Sequence, residues 1–241
     1  MTEQPIRLKQ RGVLFDVDGT LVDTTYLHTL SWWQAIRRQG MDIPMASIHR
    51  HIGMGGDKIL SRLLPLSIGD DVRDTIKSDH GAVFSTFWPA IRAFDSARAL
   101  LRSCADSGLK VALATSAQER DLKVLRTVLD AEAWIDCATS SADASESKPS
   151  PDILKAALKR LELDAEDVVF VGDSVWDVEA AARLGIGTIA LTCGGVSEAE
   201  LRSAGAIEVY EDPHALLHGL EDSAIGRLAV RRREPKTEEV P

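Results

Sequence analysis

Short apolar runs alternate with longer amphipathic stretches along most of the chain. The runs cover residues 12–15, 111–114, 134–138, 168–171 and 186–191. This alternation predicts parallel β-strands that are linked by helices. We therefore expect an α/β protein whose core is a Rossmann-like parallel sheet.

Polar residues follow the first four apolar runs closely. The clusters are residues 16–18, Thr115 with Ser116, residues 139–141, and Asp173 with Ser174. Ligands of open α/β sheets bind beside the carboxyl ends of the strands. We therefore expect the chemistry of this protein at that edge of the sheet.

About 90 residues separate the first strand from the second, far more than one crossover helix needs. Apolar residues recur there at helical spacing, first at Leu27, Leu30, Trp33 and Ile36 and then at Ile59, Leu60, Leu63 and Leu64. The pattern predicts an inserted α-helical cap domain over residues 24–94, between two parts of a core domain at 1–23 and 95–230. The charged final segment, 231–241, is predicted to be a disordered tail.

Two serines predict the beginnings of helices. Ser150 precedes Pro151 and Asp152, and Ser174 precedes Val175. A serine before the first helical residue accepts a hydrogen bond from the first turn, and proline is favoured at the first helical position. We expect a side-chain cap at both serines.

Composition narrows the class of protein. With 241 residues, 44% of them hydrophobic, the chain can bury one sizeable core, or a core plus a smaller domain. Its formal charge of −9 argues against nucleic-acid binding through a general basic surface. The three cysteines show no metal-binding spacing, no apolar run approaches the roughly 20 residues of a membrane span, and the N-terminus lacks a secretory signal. We therefore expect a cytoplasmic protein with no nucleic-acid or membrane partner.

Two carboxylates, Asp16 and Asp18, stand two residues apart where the first strand opens into a turn. Burial of an unpaired carboxylate is unfavourable and a second one nearby adds repulsion, so a cation is the expected compensation. Hard oxygen ligands favour Mg²⁺, which also binds substrate phosphate. Because Asp-Gly is common in turns, a purely structural role for an isolated DxDG stays open.

Four motifs resemble those of the haloacid dehalogenase superfamily. The segment VLFDVDGT, residues 13–20, is similar to the first motif, and Thr115 to the second. Lys148 resembles the third motif, and VGDSVWD, residues 171–177, the acidic fourth. They follow the order of the superfamily, and the predicted helical insertion takes the place of the family's helical cap domain.

The resemblance implies a role for each motif residue. Asp16 would attack phosphorus to form an aspartyl phosphate, while Asp18 would protonate the leaving oxygen and later accept a proton from water. Mg²⁺ would be held by Asp16, Asp173 and the main-chain carbonyl of Asp18. Thr115 would hydrogen-bond a phosphoryl oxygen, and Lys148 would neutralise charge on Asp16 and the transferring group.

Several of these roles have alternatives. Ser116 rather than Thr115 could bind the phosphate, and Thr115 could instead cap the following helix. A lone lysine such as Lys148 is commonly a solvated surface residue. Asp177, four residues after Asp173, could orient Lys148 or a metal-bound water, or could only stabilise the first helical turn.

The predicted cap should select the substrate. His28 lies in a stretch similar to the cap entry of the β-phosphoglucomutase and phosphoglycolate phosphatase branch, which implies a cap-side role in binding or acid–base chemistry; a polar helix flank is the alternative. Mutases and phosphonoacetaldehyde hydrolases of this branch are expected to carry a lysine or arginine near Gly56. Lys58 could substitute for it, although two residues away it would point elsewhere on a helix. Both of those activities are therefore disfavoured. His49 and His51 are expected to be surface or cap residues rather than metal ligands, because no third ligand is in view.

Together these features predict an enzyme, a Mg²⁺-dependent phosphatase that hydrolyses a small phosphorylated metabolite such as phosphoglycolate or a sugar phosphate. A haloacid dehalogenase proper is disfavoured, because carbon–halogen substitution needs neither Asp18 nor a metal that balances phosphate. The alternatives are a β-phosphoglucomutase-like phosphomutase and a non-catalytic sensor of a phosphorylated ligand. The oligomeric state does not follow from the sequence.

Overall fold

The computed structural model describes residues 9–231. Its strands, β1 to β6, cover Gly12–Phe15, Lys110–Ala114, Cys137–Thr139, Val168–Gly172, Gly187–Leu191 and Glu208–Tyr210. They form one sheet in the order β3-β2-β1-β4-β5-β6, with every neighbouring pair parallel. The expected α/β, Rossmann-like class is confirmed.

Helices follow most of the strands and also fill the long insertion. The helices α1 to α11 cover Thr25–Arg38, Met45–His49, Gly56–Leu63, Asp70–Ser85, Ala97–Asp106, Glu119–Leu129, Asp152–Leu161, Val175–Ala182, Glu198–Ala204, Pro213–His218 and Ala224–Arg231. Arg231 belongs to the last helix, and the rest of the predicted tail, 232–241, lies outside the described residues. Within residues 9–231, no helix combines the length and apolarity that crossing a bilayer requires.

Both faces of the sheet are buried, which explains why its central strands are continuous apolar runs. Val13 and Phe15 face a core formed with α5, α6, α10 and α11. Leu14 faces a second core formed with α7 and α8. The strands are therefore held rigidly from both sides, and their carboxyl ends are fixed relative to one another.

The insertion has an apolar core of its own. Helices α1 to α4 contribute Trp32, Ile36, Ile48, Leu60 and Ile76, all buried. The predicted apolar face of α1 is confirmed at Ile36, but Trp32 is the buried tryptophan and Trp33 is only half-buried. Helix α1 packs along α4, and this contact selects which tryptophan points inward.

The chain enters and leaves the insertion through two paired segments. Asp23 donates its backbone N–H to the carbonyl of Arg92 at 3.0 Å, and Phe94 donates to the carbonyl of Leu21 at 3.0 Å. The pairing of these two segments supports a division into a core at 1–23 and 95–230 and a cap at 24–94, which we keep as a proposal.

One of the two predicted serine caps forms. Ser174 accepts a hydrogen bond from the backbone N–H of Asp177 and begins α8. The prediction for Ser150 is wrong, because α7 begins after Pro151 without a side-chain cap. The backbone of Ser150 instead closes a turn onto the carbonyl of Ser147 at 3.0 Å, so the chain is not yet helical there.

The predicted and observed strand boundaries differ most at the edges of the sheet. The third strand begins at Cys137 rather than Trp134, because residues 132–134 form a single 3₁₀ turn. The carboxylate of Asp136 then accepts the backbone N–H of Val111 at 2.9 Å. The short edge strand β6 was not predicted, since its residues are only half-buried.

Leu113→Ala should lower the free energy of unfolding by about 2–5 kcal/mol, because Leu113 is completely buried and its truncation leaves a cavity. Urea denaturation followed by circular dichroism measures this loss. Leu66→Ala makes the same chemical change at a side chain that is 96% exposed, and it should stay within about 0.5 kcal/mol of the parent. Similar losses in both variants would contradict the assignment of Leu113 to the core.

Candidate active site

The residues predicted for the site come together at the carboxyl edge of the sheet. Asp16 follows β1, Thr115 follows β2 and Asp173 follows β4. The backbone N–H of Asp16 still bonds to the carbonyl of Val171 at 2.8 Å, so the register of two rigid strands fixes the start of this loop.

Lys148 lies at the centre of the site. Its Nζ is 2.6 Å from Oδ1 of Asp16 and 2.7 Å from Oδ1 of Asp177, and its side chain is only 1% exposed. Lys148 is therefore not a solvated surface lysine. Burial by itself would lower its pKa, but the negative charges of Asp16 and Asp177 outweigh burial and raise the pKa, so the amine is charged.

Asp177 contacts both Lys148 and the residue that precedes α8. One carboxylate oxygen contacts Lys148, and the other accepts hydrogen bonds from the backbone and hydroxyl of Ser174 at 3.0 and 2.6 Å. This reciprocal capping box begins α8. The helix start thus holds a carboxylate in a fixed direction toward the lysine.

Three buried carboxylates share this corner of the protein. Asp16, Asp173 and Asp177 each offer an oxygen atom, and these atoms lie within 4.8 Å of one another. Burial raises the pKa of Asp16 to about 7, with Lys148 opposing the shift. Burial, followed by the charges of Asp177 and Asp16, raises the pKa of Asp173 well above its ordinary value.

The donor set fits a hard divalent cation. Lys148 supplies one positive charge against three carboxylates, so an added cation would lower the repulsion among them. Oδ1 of Asp16 accepts from Lys148 and Oδ1 of Asp173 accepts from Thr20 at 2.8 Å, which leaves the second oxygen of each for a cation. Carboxylate oxygens of this kind are ligands that Mg²⁺ prefers.

Two glycines leave room around Asp173. A Cβ on Gly19 would stand 2.4 Å from Oδ2 of Asp173, and one on Gly194 would stand 1.7 Å from it. Gly19 also has a φ of +81°, which side chains other than glycine rarely adopt. Glycine at both positions therefore allows the backbone to approach the carboxylate closely.

The carboxylate of Asp18 points away from this cluster and toward the cap. Its Oδ1 accepts a hydrogen bond from Thr24 at 2.7 Å and lies 3.2 Å from Nε2 of His28. Burial tends to raise the pKa of Asp18, but His28, Thr24 and Lys148 together outweigh burial and lower it. A metal contact through the main-chain carbonyl of Asp18, as the resemblance implies, would leave this side chain free for proton transfer.

His28 in turn contacts a second histidine, His80 on α4. Nδ1 of His28 lies 3.2 Å from Nε2 of His80, and the ring of His28 stacks on Phe84 with centroids 3.9 Å apart. His80 stacks on Trp32, also at 3.9 Å. Burial, the charge of His28 and Arg120 lower the pKa of His80 well below its ordinary value, so His80 is neutral at pH 7. Asp18, His28 and His80 form a continuous chain from core to cap.

Thr115 is buried and holds the loop after β2. Its hydroxyl accepts the backbone N–H of Ala117 at 3.0 Å and lies 3.4 Å from Oδ2 of Asp18. Thr115 does not cap the next helix, which begins after Gln118. Ser116 lines the neighbouring cavity together with Thr115, so both hydroxyl-bearing residues stay candidates for phosphate binding.

A cavity of about 330 Å³ lies between the carboxyl edge of the sheet and the helices of the insertion. Its core side includes Asp16, Asp18, Thr115 and Ser116, and its cap side includes Trp32, Ile52, Met54, Gly56, Lys77 and His80. The volume suits a small molecule. A substrate in it would touch both the sheet edge and the cap.

Gly56 and Lys58 lie near each other in the chain but contact different parts of the protein. Gly56 begins α3 against Trp32, and a Cβ there would stand 2.8 Å from the indole ring. Lys58 points elsewhere, as expected: its Nζ is 2.6 Å from the carbonyl of Ser147 and 3.2 Å from Glu146. Lys58 therefore joins the cap to the segment that precedes Lys148.

His49 and His51 join no metal-ligand cluster within residues 9–231. Nε2 of His49 lies 3.1 Å from the carbonyl of Gly194 in the core, and Nδ1 of His51 lies 2.8 Å from the carbonyl of Ser47. Both lie in the segment predicted to form the cap, 24–94.

Trp32, Lys77 and His80 are among the cavity residues that sequence reasoning missed. His80 is 52 residues from His28, and no local pattern distinguishes it from an ordinary helix residue. The sequence pattern did not single out Trp32, because its neighbour Trp33 fits the apolar period equally well. Only the packing of α1 on α4 brings them together.

Comparison with known proteins identifies the family. The model of the haloacid dehalogenase-like hydrolases matches residues 10–185. The chain belongs to this hydrolase family. The match confirms the expected superfamily.

Relatives point to the expected branch of the family. A phosphoglycolate phosphatase of Yersinia pestis is 30% identical over 76% of this chain and 82% of its own length. A phosphorylated carbohydrates phosphatase of Thermotoga maritima is 29% identical over 88% of this chain and 98% of its own length. The chain also matches the tyrosine-protein kinase PtkA of Mycobacterium tuberculosis at 29% identity over 76% of this chain, and there it spans only 62% of the relative.

Solved structures share the fold. A hydrolase from Pseudomonas syringae superposes with a TM-score of 0.84 at 32% identity, covering 88% of this chain and 99% of that one. The family match, the phosphoglycolate phosphatase relatives and this fold confirm the β-phosphoglucomutase and phosphoglycolate phosphatase-like branch.

The carboxylate cluster predicts how metal and pH act on stability. The pKa values of Asp16 and Asp173 lie above their ordinary value of 3.8 in the folded protein, so the folded state binds more protons than the unfolded state between about pH 4 and pH 7. Their contribution to stability therefore falls as pH rises. A bound Mg²⁺ should offset that loss, raising the Tm by roughly 5 °C at pH 8 and by less at pH 5.5.

Thermal scans with Mg²⁺ and with EDTA at both pH values measure this difference. Asp173→Asn removes one carboxylate of the cluster and should abolish the response to Mg²⁺. Asp42→Asn, at an exposed carboxylate paired with Arg37, should respond as the parent does. A Mg²⁺ effect that is equal at both pH values, or that survives in Asp173→Asn, would contradict the assignment of the ion to this cluster.

Proposed function

We propose that the protein is a Mg²⁺-dependent phosphatase of small phosphate monoesters that works through an aspartyl phosphate on Asp16. The observation that carries the proposal is the arrangement around Asp16. A charged, buried Lys148 touches Asp16, while Asp18 and His28 stand ready for proton transfer at the same cavity.

Asp16 is suited to act as a nucleophile. Its Oδ1 is held by Lys148, which keeps the carboxylate oriented and offsets part of its charge against an approaching phosphate. Attack by an Asp16 oxygen forms the new bond to phosphorus as the bond from phosphorus to the leaving oxygen breaks. Water then hydrolyses the acyl phosphate, releasing phosphate and restoring Asp16.

Asp18 and His28 act as one acid–base pair. The leaving oxygen needs a proton in the first step, and the attacking water gives one up in the second. The carboxylate of Asp18 lies 3.2 Å from Nε2 of His28, so the pair can hold one proton between carboxylate and imidazole. Asp18 is the member on the core side and the one that faces the reacting group.

Asp16 and Asp173, with the main-chain carbonyl of Asp18, would hold the metal ion. A divalent ion bound there supplies positive charge that keeps the carboxylates ionised and offsets their repulsion toward phosphate. Thr115 and Ser116 would donate hydrogen bonds to phosphoryl oxygens from the loop after β2.

The substrate is proposed to be a small phosphorylated metabolite. The cavity of about 330 Å³ has room for a phosphate with a short leaving group. Two relatives are named as phosphatases of phosphoglycolate and of phosphorylated carbohydrates, which supports this class. A cytoplasmic location is part of the proposal and is compatible with the free thiols of Cys104, Cys137 and Cys193.

Release of inorganic phosphate from a panel of metabolite esters, with Mg²⁺ and with EDTA, tests the function directly. The panel includes phosphoglycolate and both anomers of glucose 1-phosphate, with glucose 6-phosphate followed in parallel. Metal-dependent phosphate release is expected. Formation of glucose 6-phosphate faster than free phosphate would make the protein a mutase. If neither product forms, a non-catalytic sensor is favoured.

Asp16→Asn should reduce kcat by at least about 10³-fold while leaving the fold intact, because the amide cannot form the aspartyl phosphate. Phosphate release and circular dichroism measure the two quantities. Asp23→Asn alters an exposed carboxylate nearby in sequence and should keep most of the activity. Substantial turnover by Asp16→Asn would rule out Asp16 as the nucleophile.

His28→Ala should lower kcat by about 10- to 100-fold, since Asp18 loses its proton-sharing partner while the phosphate contacts of the core remain. Steady-state kinetics over pH 5–9 measures the change in kcat and in its pH profile. His49→Ala removes another cap histidine that contacts the core away from Asp18, and its kcat should change less than threefold. Equal losses in both variants would show a general effect of cap packing.

A further inference from the structure

One face of α4 forms part of the cap wall of the cavity. Lys77, His80 and Gly81 all line it. Residues three and four apart share a helix face, so Lys77 stands one turn before His80 on that wall. His80 contacts His28, which contacts Asp18, so the wall that Lys77 shares with His80 is connected to the reacting centre.

Lys77 approaches Gly56, the residue at the start of α3. A Cβ on Gly56 would lie 3.9 Å from Cγ of Lys77. Gly56 carries no side chain, and the indole of Trp32 fills the space next to it. Helix α4 therefore brings a lysine toward the position that Gly56 leaves without a side chain.

Lys77 contributes the only lysine or arginine side chain to the cavity lining, within the residues that the structure describes. Other charged groups of the lining outside the reacting centre already have partners. Asp57 accepts a hydrogen bond from Ser147 at 3.0 Å, and Asp121 lies 3.4 Å from Nε of Arg120. The positive charge of Lys77 is thus the main feature with which the cap can select a charged leaving group.

The ion-pair partner of Lys77 is an exposed residue of the same helix. Its Nζ lies 3.0 Å from Oδ1 of Asp74, whose side chain is 73% exposed. An exposed ion pair one helical turn apart contributes little to stability. An anionic group in the enclosed cavity could therefore replace Asp74 at small cost.

We propose that Lys77 binds a second anionic group on the leaving-group side of the substrate, so that the enzyme prefers small phosphomonoesters that carry a carboxylate or a second phosphate. This inference rests on the proposed phosphatase function and deepens it. The transferring phosphate would lie beside Asp16 and Lys148, and the second anion beside Lys77 across the cavity. Apolar Trp32, Ile52 and Met54 would contact the short linker.

The test compares two esters of similar size, phosphoglycolate and 2-hydroxyethyl phosphate, which differ in the carboxylate. The parent should favour phosphoglycolate by at least about tenfold in kcat/KM. Lys77→Met keeps the apolar stem and should raise KM for phosphoglycolate about 10- to 100-fold, the loss expected for a hydrogen bond to a charged group, with kcat within threefold. Lys77→Arg should recover most of the affinity, and kcat/KM for the neutral ester should not change.

Lys123→Gln is the matched control, because it removes one charge from an exposed lysine on α6 outside this cavity. Its selectivity should equal that of the parent. Equal kcat/KM for both esters in the parent, or a parallel loss for both in Lys77→Met, would overturn the role of Lys77 while leaving the phosphatase function intact.

Turnover of neither ester would instead count against the proposed function. Calorimetric binding of the same two esters to the unreactive protein would then decide the role of Lys77. A Kd for phosphoglycolate that rises about 10-fold or more in Lys77→Met, against an unchanged Kd for the neutral ester, supports the inference. If Lys77→Met changes the Kd of the two esters by the same factor, the inference is overturned.

Discussion

The site depends on one buried charge, the ammonium group of Lys148. It joins three separate parts of the chain, because Asp16 follows β1, Asp177 begins α8, and Lys148 itself lies in the loop before α7. Breaking a buried pair by removing one partner typically costs about 3–5 kcal/mol, since it leaves a charge without compensation. The lysine therefore orients the proposed nucleophile and fixes the surrounding loops. It also leaves the carboxylates in excess, which is the electrostatic reason that a divalent cation fits beside them.

The cap contacts both sides of this centre. On one side His28 touches Asp18, and on the other Lys58 binds the carbonyl of Ser147, the residue directly before Lys148. In the proposed mechanism, a cap in this position would exclude water from the cavity and place its own side chains beside the leaving group. Substrate binding and the arrangement of the proposed acid–base pair would then be linked through the same helices.

Much of the fold followed from local patterns. The central strands were predictable because both of their faces are buried, so their apolar runs are unbroken. The edges were harder, since Glu208–Tyr210 is half-buried and carries no such run. The cap at Ser174 was predictable because the hydroxyl and Asp177 stand at a fixed spacing, whereas Ser150 has the same local signal and belongs to a turn.

The α/β class, the helical insertion and the set of acidic, hydroxyl and lysine side chains at the strand ends could be predicted from the sequence alone, because these depend on short-range periodicity and on motif spacing. Three features come from tertiary packing: the burial of Lys148 between Asp16 and Asp177, the contact of His80 with His28, and the place of Lys77 beside Gly56 in the cavity lining. Each of these contacts joins residues far apart in the chain. Their proximity is set by how helices pack on one another and on the sheet, and no local pattern of residues encodes that packing.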